Sequence, residues 1–313
     1  MTYINRSLPD HANGQSVAKA DFSPGLETGY VNLDTRHDVQ DRIFWCYLNA
    51  QGRPSFTQGV LADLHGVQRH IADLSSVSPG SDPAPVGWVV LASRTPGVFS
   101  LGGDLSLFSA LIRSGDHEGL RQYAYSCVEI AHCNSTGYGG RAISIGLAQG
   151  EALGGGFESL LSCDVLVAER RARFGLPEVL MNLFPGMGAH CFLTRRAGSA
   201  AAVRMILSGE VFTAEAMQMM GIVDVLAENG KGEEAVQDYI LKHQSRHRSH
   251  SATYEARRRI SPVTLADLKT VCDVWVETAM ALTSADLRRM SLLVSAQDRS
   301  RRRQVQAASV AAE

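Results

Sequence analysis

No stretch of this 313-residue chain is apolar for long enough to span a bilayer. Neither sign of charge dominates it: 30 Lys and Arg stand against 32 Asp and Glu, a formal net charge of -2. Nothing therefore steers the whole molecule towards nucleic acid or an anionic membrane surface. Six cysteines are too few for a disulfide framework, and they sit in apolar settings such as FWCYL and LLSCDVLVA, so reduced core residues are expected. The polar first residues, MTYINRSLPDHANGQSVAKADF, lack the apolar centre of a signal peptide, and a cytoplasmic protein is expected. Also missing are GxxxxGK[ST], a GxGxxG after a strand, and GxSxG, which argues against a P-loop, a Rossmann cofactor site and a serine-hydrolase elbow. His132–Cys133 and His190–Cys191 are adjacent pairs without zinc spacing and read as ordinary helix residues, so neither a metal nor another cofactor is expected.

What is present is material for a substantial core, with 45% hydrophobic and 20% charged residues. Residues 1–25 are expected to be loosely attached. GYVNLDTR and RIFWCYLN read as strands, FTQGVLADLHGVQRHIADL as a helix, and VGWVVLAS and RAISIGLAQG as strands buried on both faces. One or two helices follow Leu105, another starts near Gly155, and CDVLVAE and ARFGL are strands. After Pro185 the pattern is mainly helical: AHCFLTRRAG, SAAAVRMILSG, and TAEAMQMMG with Thr213 as N-cap and Gly221 as C-cap. The strand IVDVLAE and three helices from Lys231 onward complete the chain. This alternation predicts an α/β core over 26–228, built from right-handed crossover units, and a helical lobe over 229–298. The basic run RSRRR at 299–303 opens a tail, 299–313, expected to be solvated and frayed.

Packing alone does not account for EALGGGFESLLSC and the segment FGLPEVLMNLFPGMG after it. Gly154, Gly155 and Gly156 add no side chain, and Glu158 and Glu178 place carboxylates in apolar surroundings, where they are costly. A second glycine-rich turn, FSLGGDL, also joins a buried strand to a helix. Strand ends that feed helix N-termini are where open α/β folds collect ligands, and glycine lets a backbone N–H approach one closely. Two such N–H groups from two turns could converge on one oxygen as an oxyanion hole. Taken singly, each acid also suits the first turn of a helix, with Pro177 ahead of Glu178.

Together, FSLGGDL, AQGEALGGGFE, FGLPEVLMNLFPGMGA and LSGEVFTAEAMQMMGIVDVL resemble the crotonase (enoyl-CoA hydratase/isomerase) superfamily over roughly residues 86–228. The resemblance implies a spiral of ββα units, a helical C-terminal oligomerisation region, a homotrimer or dimer of trimers, and an acyl-thioester site. By motif position it puts the oxyanion hole at the N–H groups of Gly103 and Gly155. It makes Glu158 and Glu178 the two acids of the hydratases. A narrower resemblance, carried by GVFSLGGDLSLFSALIRSGD, GLPEVLMNLFPGMGAHCFL and VCDVWVETAMAL, is to the diffusible signal factor synthases. Those enzymes dehydrate a 3-hydroxyacyl thioester on acyl-carrier-protein and then hydrolyse it to a cis-2-unsaturated fatty acid. TVCDVWVETAMAL is expected to form a helix with Val271, Val274, Trp275, Thr278, Ala279 and Leu282 near one face, most of it core packing. On that resemblance Trp275 is expected to wall an acyl tunnel with Leu153, Met181 and Met187. The alternatives are a plain enoyl-CoA hydratase acting on CoA thioesters and a non-catalytic protein that keeps the scaffold. The retained pair of acids weighs against the last.

Overall fold

The computed structural model describes residues 29–76, 84–139 and 142–310, with no side-chain description from 300 onward. The expected loose segment 1–25 lies outside the described residues. The chain builds two sheets. Strands β1 (Leu33–Asp38), β2 (Ile43–Leu48), β3 (Trp88–Ser93), β5 (Ile143–Ala148), β7 (Val165–Glu169) and β10 (Val225–Ala227) form the large one, in the order β1-β2-β3-β5-β7-β10. Only β1 runs antiparallel to its neighbour. Every residue of β2, β3, β5 and β7 is buried, which explains why they are mostly apolar rather than alternating.

The second sheet has strands of three residues each: β4 (Val98–Ser100), β6 (Glu151–Leu153), β8 (Arg173–Gly175) and β9 (Val211–Thr213). A long strand, a short strand and then helix is the repeating unit, so β3–β4, β5–β6 and β7–β8 each give one strand to each sheet. This is the expected spiral of ββα units. The sequence reading found the long strands, and β8 within ARFGL, but not β4, β6 and β9, since three residues show no period. Consequently each glycine turn follows a short strand of the second sheet, not the long strand before it.

The helices are α1 (Gln58–Ser76), α2 (Leu105–Ser114), α3 (His117–Ser135), α4 (Gly155–Leu161), α5 (Ala189–Ala197), α6 (Ser199–Ser208), α7 (Ala214–Met219), α8 (Gly232–Gln244), α9 (His247–Ile260), α10 (Leu265–Met280) and α11 (Ser284–Val310). Thr213 caps α7 as expected, its side chain accepting the Ala216 N–H at 3.2 Å. From Lys231 there are four helices where three were expected. The last carries the backbone through the 299–303 run that was expected to fray. Among the described residues no helix is long and apolar enough to cross a membrane.

Helix α4 lies hard against the second sheet. A Cβ on Gly156 would stand 2.4 Å from the carbonyl oxygen of Ser100 in β4, a backbone atom that cannot swing aside. Gly156→Ala should therefore lower stability by about 1–3 kcal/mol through overpacking. That loss exceeds the roughly 1 kcal/mol of helix propensity that alanine brings. A denaturation midpoint equal to or above that of the parent would mean that α4 can move off β4.

Candidate active site

The two glycine turns meet. In the first, β4 ends at Ser100 and Asp104 caps α2, its carboxylate accepting the N–H groups of Ser106 and Leu107 at 3.1 Å each. In the second, β6 ends at Leu153 and Gly154, at φ +53°, leads into α4. A Cβ on Gly102, itself at φ +86°, would lie 2.9 Å from the Gly155 nitrogen; one on Gly155 would lie 3.6 Å from the Gly103 nitrogen. The Gly103 and Gly155 N–H groups are thus neighbours, and among the described residues neither has a hydrogen-bond acceptor. Two free donors set side by side, one opening a helix, can hold a developing oxyanion.

The first turn is held from behind. Phe56 donates its N–H to the Gly102 carbonyl at 2.8 Å. The Asp104 N–H donates to the Tyr123 hydroxyl at 3.0 Å, and that hydroxyl donates to the Phe56 carbonyl. Sequence reasoning missed Phe56 and Tyr123. Tyr123 carries a helical signal, three residues after Leu120 and four before Cys127, all three buried on α3, but nothing local ties it to a loop twenty positions earlier.

Glu158 is buried, with 2% of its surface exposed. It does not serve its own helix. Its Oε1 accepts the N–H of Met187 at 2.7 Å and of Ala189 at 2.9 Å, so it binds the start of α5. Burial pushes its pKa up to about 7, and the two N–H donors oppose that rise. Glu178 stands second in a 3-10 helix, Pro177–Met181, that begins on proline as expected and stops at Asn182 in the left-handed region, φ +61°. Its Oε2 is buried without a hydrogen-bond partner, while Oε1 would lie 2.5 Å from a Cβ on Gly154. Burial, and then repulsion from Glu158, push Glu178 up to about 8. One carboxyl is prepared to be ionised and the other to keep its proton.

A narrow cavity of about 80 Å³ connects these groups, lined by Gly103, Gly155, Glu158, Glu178, Met181 and Met187. Trp275, 5% exposed, forms another wall and meets Phe108 edge-on with ring centroids 5.0 Å apart. Leu293 and Gln297 of α11, also unforeseen, complete the lining. Leu153 does not line it. On β6 its side chain turns towards the next strand, where Cδ2 would touch a Cβ on Gly175 at 3.4 Å. On α10, the buried face is Leu268, Cys272, Trp275, Val276 and Ala279, whereas the expected stripe included Val274, which is 52% exposed. Cys127 borders the cavity, but burial holds its thiol at about 12, far from a nucleophilic thiolate.

The enoyl-CoA hydratase/isomerase family profile matches residues 80–262, more than half of the chain. The chain belongs to that family. A 2,3-dehydroadipyl-CoA hydratase from Escherichia coli K12 is 47% identical over 79 residues, 25% of this chain and 31% of that enzyme. Among hydratase relatives of this kind the chain spans from about a third to about three fifths of their length. An enoyl-CoA hydratase structure from Bacillus halodurans superposes with a TM-score of 0.69 at 22% identity, covering 83% of this chain and 99% of the other. The Pseudomonas aeruginosa protein DspI does so with a TM-score of 0.58 at 24% identity, covering 74% and 83%. These two likenesses concern the fold.

Three expectations follow from this pair of carboxyls. Glu158→Gln and Glu178→Gln should each lower turnover by ~10²–10⁴-fold, the usual contribution of a general acid or base, without unfolding the protein. The pH profile of kcat/KM should be bell-shaped, with limbs near 7 and 8 that belong to the coupled pair. Raised carboxyl pKa values also make stability fall as pH rises from about 4.5 through 8, because the folded protein must give up protons it holds more tightly than the unfolded chain does. Near-normal turnover in either variant, or a flat profile between pH 6 and 9, would remove these groups from the chemistry.

Proposed function

We propose that this protein adds water to, or removes it from, the C2–C3 bond of an acyl thioester, interconverting 2-enoyl and 3-hydroxyacyl forms. The observation that carries the reading is the pair Glu158 and Glu178, in unequal environments, beside two free backbone N–H groups. The thioester oxygen accepts from Gly103 and Gly155, which stabilise the enolate-like charge that develops there. In the hydration direction ionised Glu158 takes a proton from water as its oxygen bonds to C3, and protonated Glu178 gives a proton to C2. Dehydration reverses the transfers: Glu178 removes the C2 proton and Glu158 protonates the departing hydroxyl. The pair carries one proton in either direction, which is why each pKa is best placed near neutrality. No step calls for a metal or organic cofactor.

The relatives named above support a plain hydratase of CoA thioesters better than the signal synthase towards which the narrower sequence resemblance leans. That second reading retains one specific support: Trp275 walls the cavity, in the segment VCDVWVETAMAL that resembles the synthases. In this reading the substrate rides on acyl-carrier-protein. A water that gives its proton to Glu158 or Glu178 attacks the thioester carbonyl after dehydration, with the same two N–H groups holding the oxyanion; as the oxyanion collapses the C–S bond breaks and the carrier's thiol leaves with that proton. Assembly into a trimer or dimer of trimers belongs to the same proposal. It is supported by exposed apolar residues near the 3-10 helix: Leu180 at 51%, Leu207 at 70% and Val211 at 55%.

The test offers 2-enoyl and 3-hydroxyacyl thioesters of several chain lengths, on CoA and on carrier protein. Reversible hydration with the thioester intact supports the hydratase; release of free 2-enoic acid supports the synthase; neither product overturns the proposal. Trp275→Ala should flatten the dependence of kcat/KM on chain length, since each buried CH₂ is worth about 0.8 kcal/mol. An unchanged preference would make Trp275 a core residue only.

A further inference from the structure

A second cavity, of about 350 Å³, lies between α5, the end of α9 and the segment that leads into α10. It is lined by four guanidinium groups: Arg195 and Arg196 from α5, Arg257 and Arg258 from α9. Their partners do not balance that charge. Asp164, whose side chain is wholly buried, accepts from Arg257 at 2.8 Å and Arg258 at 2.5 Å. It also accepts from the N–H and hydroxyl of Ser144 at 3.1 and 3.2 Å, so its capacity is filled. Arg196 bonds the carbonyls of Cys163 and Ile222 and reaches Asp224 at 3.3 Å. Arg195 has no carboxylate partner among the described residues. It donates to the carbonyls of Cys191, Ser261 and Pro262. Asp267, the next acid along, is occupied in a capping box with Thr264.

Four cations therefore line a concave space, and the two carboxylates that pair with three of them are not part of its lining. Arg257 spends one amino group on Asp164 and lies over the Tyr254 ring at 4.9 Å; among the described residues the rest of its fork has no acceptor. Beneath the guanidiniums the floor is apolar, formed by Leu161, Phe192 and Val263. A planar fork with spare N–H donors, in the same lining as a second guanidinium that hydrogen-bonds only to carbonyls among the described residues, can bind phosphoryl oxygens bidentately.

We propose that this cavity is a second ligand site, which takes the phosphoryl group of a small molecule between Arg195 and Arg257 and rests the ligand's body on the apolar floor. It is separate from the carboxylate pair. Helix α4 presents Glu158 to one cavity from its first turn and Leu161 to the other from its end, and α3 likewise presents Cys127 to one and Ser135 to the other. A ligand here leaves the Gly103 and Gly155 N–H groups free.

Calorimetric titration of the whole protein, at ionic strength held constant with sodium chloride, tests this with pyrophosphate, ADP and adenosine. Pyrophosphate and ADP should bind saturably, once per chain, and adenosine should not. Binding should weaken by ~10-fold or more in Arg257→Gln and in Arg195→Gln, as expected when a charge-assisted bond is lost. Equal affinities for the two phosphates make the phosphoryl group the whole determinant, and tighter ADP brings in the floor. Arg195→Gln removes only bonds to carbonyls, so it keeps the test sound if loss of the Asp164 contact makes Arg257→Gln unstable. The proposal is overturned if neither phosphate binds saturably, if adenosine binds equally well, or if binding survives both substitutions. None of these outcomes depends on the activity assigned to the catalytic cavity.

Discussion

Backbone touches backbone where the Gly102–Gly103 turn meets the first residues of α4, and the geometry of the site depends on that contact. A side chain at Gly102 would collide with the Leu153 carbonyl and the Gly155 nitrogen, one at Gly154 with Glu178, and one at Gly156 with Ser100. Since a side chain at Gly155 would press on the Met187 sulfur at 3.3 Å, the consecutive glycines 154, 155 and 156 answer to three different neighbours. Between them they let one helix press on the short sheet, let a carboxyl reach over the helix start, and set two amide donors side by side. Removing side chains here lets a substrate atom meet the backbone inside a close-packed interior.

The acids are placed by that approach and differentiated by what surrounds them. Glu158 ties α4 to α5 through two N–H donors, a structural bond that also favours its ionised form. Glu178 has burial without compensating donors to Oε2, and an anionic neighbour. An orphaned buried oxygen is a cost to folding. Here it faces the cavity, where a substrate or water can meet it. Stability and chemistry are in tension at this residue and in agreement at Glu158.

The glycine turns and both carboxyls were legible in the sequence because each breaks a local rule, backbone without side chains and charge among apolar residues, whereas Trp275 was singled out by the resemblance of its segment. Leu153 was misplaced because a three-residue strand has no period to say which way its side chains point. The face of α10 was misjudged because apolar residues lie on both sides of it, and only the packing of Cys272 against the Gly186 and Ala124 carbonyls chooses between them. Phe56, Tyr123, Leu293 and Gln297 were invisible for another reason. Their roles arise from contacts between segments remote in sequence, and no pattern within any one segment encodes that.

The central sheet carries a kinetic implication. From β2 onward its neighbours run parallel, and each pairing joins distant stretches: Ile43 with Trp88, Trp88 with Ile143, Val225 with Val167. A ladder of this kind cannot begin with a hairpin. Loop entropy must be surrendered before any of these pairings is rewarded, so the chain should collapse quickly and order slowly. Until β3, β5 and β7 are aligned, their mostly apolar strands are open to pairing with other chains, and conditions that slow ordering should favour aggregation.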